Sequence, residues 1–226
     1  MRFALRLNGT TACSWDTVIP FEPLWAQYKR LIKDNGAIVL TGSQPFTSML
    51  IMSNINWFKF ELIWEKDVPT NPLLCKIFPL KYHENIVFFC EGKIMYNPIM
   101  ETRKQKNKRN NNQKFIMQNR GAFGKTIMLP SDGQRNFTYP KSIVYCTRET
   151  GLHPTQKPVD LFRYLIKTYS NEGDTILDNC AGSGTTLIAA LMENRKSILI
   201  EKEKKYFDIM TTRINNYLSQ TMLDLI

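Results

Sequence analysis

The stretch from Thr175 to Glu201 constrains the fold more than any other part of the chain. TILD (175–178) reads as a short apolar strand ending on Asp178, and the small-residue loop Ala181-Gly182-Ser183-Gly184 follows. TLIAALMEN (186–194) then reads as a helix, and SILIE (197–201) as another strand ending in Glu201. Glycines in such a loop let a ligand approach the backbone and leave the N–H groups at the helix start exposed. An acid about twenty residues on, after the next strand, can accept hydrogen bonds from ribose hydroxyls. The loop is not the dinucleotide fingerprint GxGxxG, because Gly182 and Gly184 are followed by Thr185, Thr186 and Leu187, and it is not a phosphate loop of the GxxxxGK type. A lone GSG would be only a tight strand–helix turn. With Asp178 before it and Glu201 after it, the pattern describes a pocket for an adenosine-type ligand at the carboxyl ends of parallel strands.

The same alternation of strand and helix extends upstream. Met1, Phe3, Leu5 and Leu7 alternate with Arg2, Ala4 and Arg6, which gives a short strand with one apolar face. FEPLWAQYKRLIKD (21–34) reads as a helix with Leu24, Tyr28, Leu31 and Ile32 inward, stopped by Asn35-Gly36. AIVLT (37–41) reads as a buried strand, SQPFTSMLIMSN (43–54) as a helix, FKFELIWEK (58–66) as a strand and NIVFFCEG (85–92) as a further apolar strand. VDLFRYLIKTYS (159–170) is amphipathic, with Leu161, Phe162, Leu165 and Ile166 on one side, and a terminal helix follows Glu203. The fold class predicted is α/β: a doubly wound, Rossmann-like sheet with helices on both faces.

Charge narrows the partners. The formal net charge is +10 and the pI about 9.4, so the chain attracts polyanions, nucleic acid first and anionic membrane second. Thr102 to Ser131 contains no acidic residue and holds Arg103, Lys104, Lys106, Lys108, Arg109, Lys114, Arg120 and Lys125 beside an Asn run at 110–112. Without apolar periodicity it reads as a long basic inserted loop. Cys13, Cys75, Cys90, Cys146 and Cys180 are scattered and form no CxxC pair, and His83 and His153 are the only histidines, so neither a disulfide framework nor a metal site is expected. No apolar run reaches the length of a membrane span and MRFALRLNG is not a secretory signal, so the expected location is the cytoplasm.

Several long motifs occur in one order: GTTACSWDTVIPFEPLW (9–25), HENIVFFCEGKIMYNP (83–98), HPTQKP (153–158), ILDNCAGSGTT (176–186) and ILIEKEKKYFDI (198–209). In this order they resemble the N4/N6 amino-methyltransferases of DNA, in the subgroup whose cofactor motifs come last. The resemblance covers nearly the whole chain and implies one methyltransferase-like domain over 1–226: a catalytic half over 1–100, a target-recognition insertion over 101–150 and a cofactor-binding half over 151–226. It implies S-adenosylmethionine as cofactor, double-stranded DNA as substrate, and a setting in DNA methylation or restriction-modification. Asp178, Cys180, Gly182, Ser183, Gly184 and Thr185 should wrap the cofactor's amino-acid end, Thr155, Lys157 and Pro158 should help hold its carboxylate, and Glu201 should bind the ribose. Apart from the resemblance, His153 is a satisfied loop histidine, Lys157 a solvated lysine, and Phe162 and Tyr206 core packing. In the family position of 102–131, Arg103, Lys104, Lys106, Lys108, Arg109, Lys114 and Arg120 would neutralise phosphates.

One departure concerns the chemistry. The family's catalytic tetrapeptide, DPPY or a close variant, immediately precedes a segment like GTTACSWD. Here that slot holds Leu5, Arg6, Leu7 and Asn8, and no DPPY, NPPY or SPPY occurs elsewhere. An exocyclic amine is a poor nucleophile, and the family's tetrapeptide supplies hydrogen-bond acceptors for it and an aromatic ring against the extruded base. Leu5 and Leu7 offer no side-chain acceptor, Arg6 only donates, and Asn8 has a carbonyl but cannot stack as a ring does. The expectation is an N-terminally truncated or altered descendant of an active enzyme, with adenine-N6 favoured over cytosine-N4. The alternative is a non-catalytic DNA-binding or cofactor-binding subunit of a split methyltransferase, partnered by a complementing chain or a dimer mate. An RNA or small-molecule methyltransferase leaves the basic loop and HPTQKP without a use, and a plain nucleic-acid-binding module leaves the Asp178–Glu201 pocket without one.

Overall fold

The computed structural model describes residues 2–4, 18–102 and 137–223. They fall into two units, one of residues 1–97 with 142–226 and one of residues 98–141. In the first unit the elements run β1 (Arg2–Ala4), α1 (Phe21–Leu31), β2 (Ile38–Gly42), α2 (Phe46–Ser53), β3 (Phe58–Glu65) and β4 (His83–Phe89). In the second, β5 (Glu101–Thr102) and β6 (Phe137–Thr138) form a short antiparallel ladder. The first unit resumes with β7 (Ile143–Tyr145), α3 (Val159–Tyr169), β8 (Thr175–Asp178), α4 (Thr185–Met192), β9 (Lys196–Leu199) and α5 (Lys204–Leu223).

Five strands hydrogen-bond in the order β1–β2–β4–β3–β7, and β8 pairs with β9 in parallel. β1 runs parallel to β2 and also packs beside β8, so the parallel pair continues the larger sheet on the β1 side. β1 thus stands between two strands. β4 runs against both neighbours because the connection from β3 returns without a crossover helix.

Alternation along the central strands builds two cores. Val39, Ile86 and Phe88 face one side, where they meet Leu161, Phe162, Leu165, Ile166 and Tyr169 of α3 and Ala189 and Ala190 of α4. Ile38, Leu40, Val87 and Phe89 face the other, against Leu24, Trp25 and Tyr28 of α1 and Phe46 and Leu50 of α2. Every residue of β2 is buried, as expected of a strand covered by helices on both faces. The doubly wound α/β reading is therefore correct, with a reversed β4 within it.

Two boundaries differ from the sequence reading. α1 stops at Leu31, and Ile32 is already extended, so Asn35-Gly36 is a separate turn with Asn35 at φ 62°. Leu31 points outward, 47 % exposed, and Trp25 takes the inward place, its indole donating to Ser53 Oγ at 2.8 Å. β9 ends at Leu199, which leaves Glu201 in the loop beyond the strand.

Candidate functional site

β1, β2 and β3 end, and β4 begins, along one edge of the sheet: Ala4 is in register with Thr41, Gly42 with Asn85, and Glu65 with His83. The loop after β8 reaches the same edge, since Lys157, which lines the cleft beside it, meets Glu84 of β4 at 2.8 Å.

That loop is shaped by its glycines and closed by two acids. Gly182 and Gly184 have φ of 54° and 78°, a region L side chains rarely occupy. A Cβ on Gly182 would sit 3.4 Å from the His153 ring, and one on Gly184 only 2.6 Å from Met210 Cγ. Asp178, at the end of β8, accepts from Cys180 N at 2.9 Å and from Thr186 Oγ1 at 2.5 Å. Burial pushes its carboxyl up to about 6, with the nearby Glu201 charge adding, against those two hydrogen bonds. Glu201 accepts from Gly182 N at 2.7 Å and from Glu203 N at 2.8 Å, so its carboxylate pins the glycine loop to the β9 loop. Each carboxylate oxygen keeps a further lone pair for a ligand hydroxyl. Burial pushes the Cys180 thiol up to about 12, reinforced by Asp178 and Glu201, which leaves a neutral thiol and no nucleophile.

The HPTQKP loop forms the opposite wall. His153 lies against Tyr206, ring centroids 4.1 Å apart, and Thr155 bonds its Nδ1 through both backbone N–H and hydroxyl at 3.1 Å. The Lys157 carbonyl accepts from Thr185 Oγ1 at 3.1 Å, which joins this loop to the start of α4. Pro158 precedes α3 as its N-cap, and Glu149 accepts from Val159 N at 2.7 Å, closing that helix end. Arg213 of α5 donates to Ser183 O and Thr185 Oγ1 at 3.2 Å and pairs with Glu149 at 3.6 Å.

Thr155, Lys157, Asp178, Cys180, Gly182, Ser183 and Thr185 thus line one cleft with His153 and Phe162. Gly184 and Pro158 shape it from the two helix starts, and Glu201 acts on it through Gly182. Leu5, Arg6, Leu7 and Asn8 lie outside the described residues, as do Arg103, Lys104, Lys106, Lys108, Arg109, Lys114 and Arg120.

Lys157 is not a solvated lysine. Its ammonium and that of Lys66 flank Glu84 at 2.8 and 2.6 Å, all three side chains buried, beside the ring of Trp64. Sequence reasoning missed Glu84, although an acid opening an otherwise apolar strand signals a buried partner. Phe162 was read as core; it is 6 % exposed, packs in the core and lines the cleft as well. Across Lys157 lies a second cavity of ≈ 590 Å³, between residues 41–46, from the end of β2 to the start of α2, and residues 70–74 after β3, with Glu84 and Lys157 also in its lining. Among the described residues no His, Cys, Asp and Glu group can hold a metal ion, and no helix is long and apolar enough to cross a membrane.

An α/β sheet with a glycine loop and an acid beyond the next strand defines a nucleoside-binding protein of the Rossmann-like class. Residues 14–212 match the model of the N6/N4 DNA methylases, described as DNA methylase, and the chain belongs to that family. The type II methyltransferase M2.MboI of Moraxella bovis is 29 % identical over 201 residues, which cover 87 % of this chain and 66 % of that protein. M2.DpnII of Streptococcus pneumoniae is 28 % identical, over 88 % of this chain and 70 % of its own length. The chain thus spans about two thirds of the length of M2.MboI and slightly more of M2.DpnII. Among solved structures, M1.HpyAVI in complex with S-adenosylmethionine superposes with a TM-score of 0.60 at 22 % identity, over 94 % of this chain and 88 % of that one. The cytosine-N4-specific PvuII DNA methyltransferase also gives 0.60, at 13 % identity, over 94 % and 79 %. Both share the fold.

Proposed function

We propose that this chain is a site-specific DNA amino-methyltransferase component that binds S-adenosylmethionine in the cleft beneath Gly182 and carries DNA on its basic surface. The observation that carries the reading is the joint lining of one cleft by the glycine loop and the HPTQKP loop, with Asp178 and Glu201 closing it. The residues fit that cofactor: Glu201 has lone pairs for ribose hydroxyls, and buried Asp178 favours a cation. When bound, S-adenosylmethionine supplies an electrophilic methyl group. Thr155, Asp178, Cys180, Ser183 and Thr185 hold its amino-acid end. Lys157 acts chiefly by fixing the loop, because its ammonium is engaged by Glu84.

The cavity across Lys157 is of a size that suits small ligands and lies beside the cofactor cleft, which supports it as the place for an extruded base. Arg103, Lys104, Lys106, Lys108, Arg109, Lys114 and Arg120 supply the phosphate contacts. Adenine-N6 is the favoured target, on the likeness of GTTACSWD and its surroundings to adenine enzymes. The site of action is the cytoplasm, where the DNA substrate lies.

A second reading is favoured by the identity of Leu5, Arg6, Leu7 and Asn8, which offer an amine only the Asn8 amide oxygen as side-chain acceptor and no aromatic ring. In it, the chain contributes cofactor and DNA binding to a complementing methyltransferase chain or dimer mate. Calorimetric titration of the purified chain with S-adenosylmethionine, then methyl transfer to mixed-sequence DNA in the same preparation, tests both. Saturable cofactor binding is expected. Transfer by the chain alone would remove the second reading, transfer only on mixing would favour it, and absence of cofactor binding would sink both.

A further inference from the structure

The connection between β3 and β4 is an ordered knuckle. Lys66 N donates to Tyr82 O at 2.7 Å and Thr70 N to Lys81 O at 3.0 Å, which closes its neck. Asn71 braces it from within, accepting from Lys81 N at 2.6 Å and donating to Pro79 O at 3.3 Å. A 3-10 turn, Pro72–Leu74, and bonds from Ile77 N and Phe78 N to Leu74 O complete it. This scaffold presents apolar side chains to water: Leu73 is 94 % exposed, Ile77 68 % and Phe78 54 %. Single exposed apolar residues are ordinary, but three on one braced knuckle mark a contact surface.

Its position says what the contact is. Pro72, Leu73 and Leu74 form a wall of the ≈ 590 Å³ cavity, whose other wall is the loop after β2 and whose lining includes Lys157 of the cofactor cleft. Lys76 stands within the apolar tip and Lys81 at its neck, and Asp67 is the sole acid from Lys66 to Tyr82. A basic, apolar knuckle matches a duplex: ammonium groups meet phosphates, while aliphatic and aromatic groups meet the faces of bases. Two copies of the knuckle would instead bring like charges together.

We propose that Leu73, Ile77 and Phe78 form a wedge that enters duplex DNA and fills the gap in the stack when a base is turned out into the adjoining cavity. The wedge rests on the proposed function, since it presupposes a DNA substrate.

The test compares the chain with the variant Ile77→Ser, Phe78→Ser, whose changes fall on side chains more than half exposed and outside the cavity lining. The probes are a short intact duplex with randomised flanks and the same duplex with one abasic site. A gap already present spares the unstacking cost, so the wild-type chain should bind the abasic duplex about tenfold more tightly. The variant should lose that preference yet keep its affinity for the intact duplex and for S-adenosylmethionine. A variant that retains the preference overturns the wedge, and so does a wild-type chain that binds both duplexes equally. A variant that sediments as a smaller species than the wild type also overturns it, because the knuckle would then join two copies. A wild-type chain that binds neither duplex removes the DNA-binding reading and the wedge together, whereas the other outcomes leave that reading standing.

Discussion

Asp178 shows how one buried carboxyl can connect stability to ligand binding. Burial, with Glu201 nearby, pushes it up to about 6 from an ordinary 3.8, so this acid disfavours its own ionisation in the folded chain. The sign follows: its contribution to stability is full below 3.8 and is lost as pH rises through about 6. S-adenosylmethionine carries a net positive charge near neutral pH, and a cation in the cleft favours ionised Asp178. Affinity for the cofactor should therefore rise with pH through about 6 and level off above it, by up to about tenfold per unit on the rising limb. Calorimetry across that range checks this, with Asp178→Asn as the control that should flatten the profile and weaken binding at high pH. A profile with the same slope in the variant would assign the dependence to another group. Asp178 was legible in the sequence because its place is local: it ends a strand directly before a glycine loop. Lys157 was not legible in the same way, since its partner Glu84 stands 73 residues away and only folding brings the two together.

Among elements, the Lys66–Glu84–Lys157 group joins β3, β4 and the loop before α3 across the sheet edge. Burial pushes the Glu84 carboxyl up, yet Lys157 and Lys66 together bring it down to about 2 from an ordinary 4.5. A depressed acid stabilises above its unfolded pKa, so this contribution is full above 4.5 and is lost as pH falls through about 2. Glu84→Gln should cost about 3–5 kcal/mol at neutral pH, because two buried ammonium groups lose their carboxylate. Denaturant unfolding of both chains at several pH values reads it: the gap should narrow below about 4.5 and nearly close at about 2. A variant as stable as the wild type at neutral pH would show that the group adds nothing net. The sequence made most elements visible through their apolar period, α3 and β2 above all. It overran α1 because Leu31 and Ile32 continue the helical spacing, while the chain turns extended at Ile32 to enter β2. It missed β7, three residues of which two are exposed, since so short a strand takes its place from pairing with β3 rather than from its own pattern.

At the scale of the whole molecule, binding and chemistry come from different parts of the chain. The proposed cofactor cleft is assembled from residues 153–158, 178–186 and 201. On the proposed reading the amine-activating slot is the tetrapeptide Leu5, Arg6, Leu7 and Asn8, which lacks an acid and an aromatic ring. If that slot alone limits the chemistry, restoring it is enough. The combined substitution L5D/R6P/L7P/N8Y should therefore leave S-adenosylmethionine affinity near the wild-type value and switch on methyl transfer to mixed-sequence DNA. The acid and the prolyl carbonyl would accept from the amine as it attacks, and the tyrosine would stack on the base. Nucleoside analysis of the product would then distinguish N6-methyladenine, the expected modification, from N4-methylcytosine. Unchanged cofactor binding without transfer in this variant would show that acceptors at residues 5–8 are not enough, and would move the missing chemistry to a second chain.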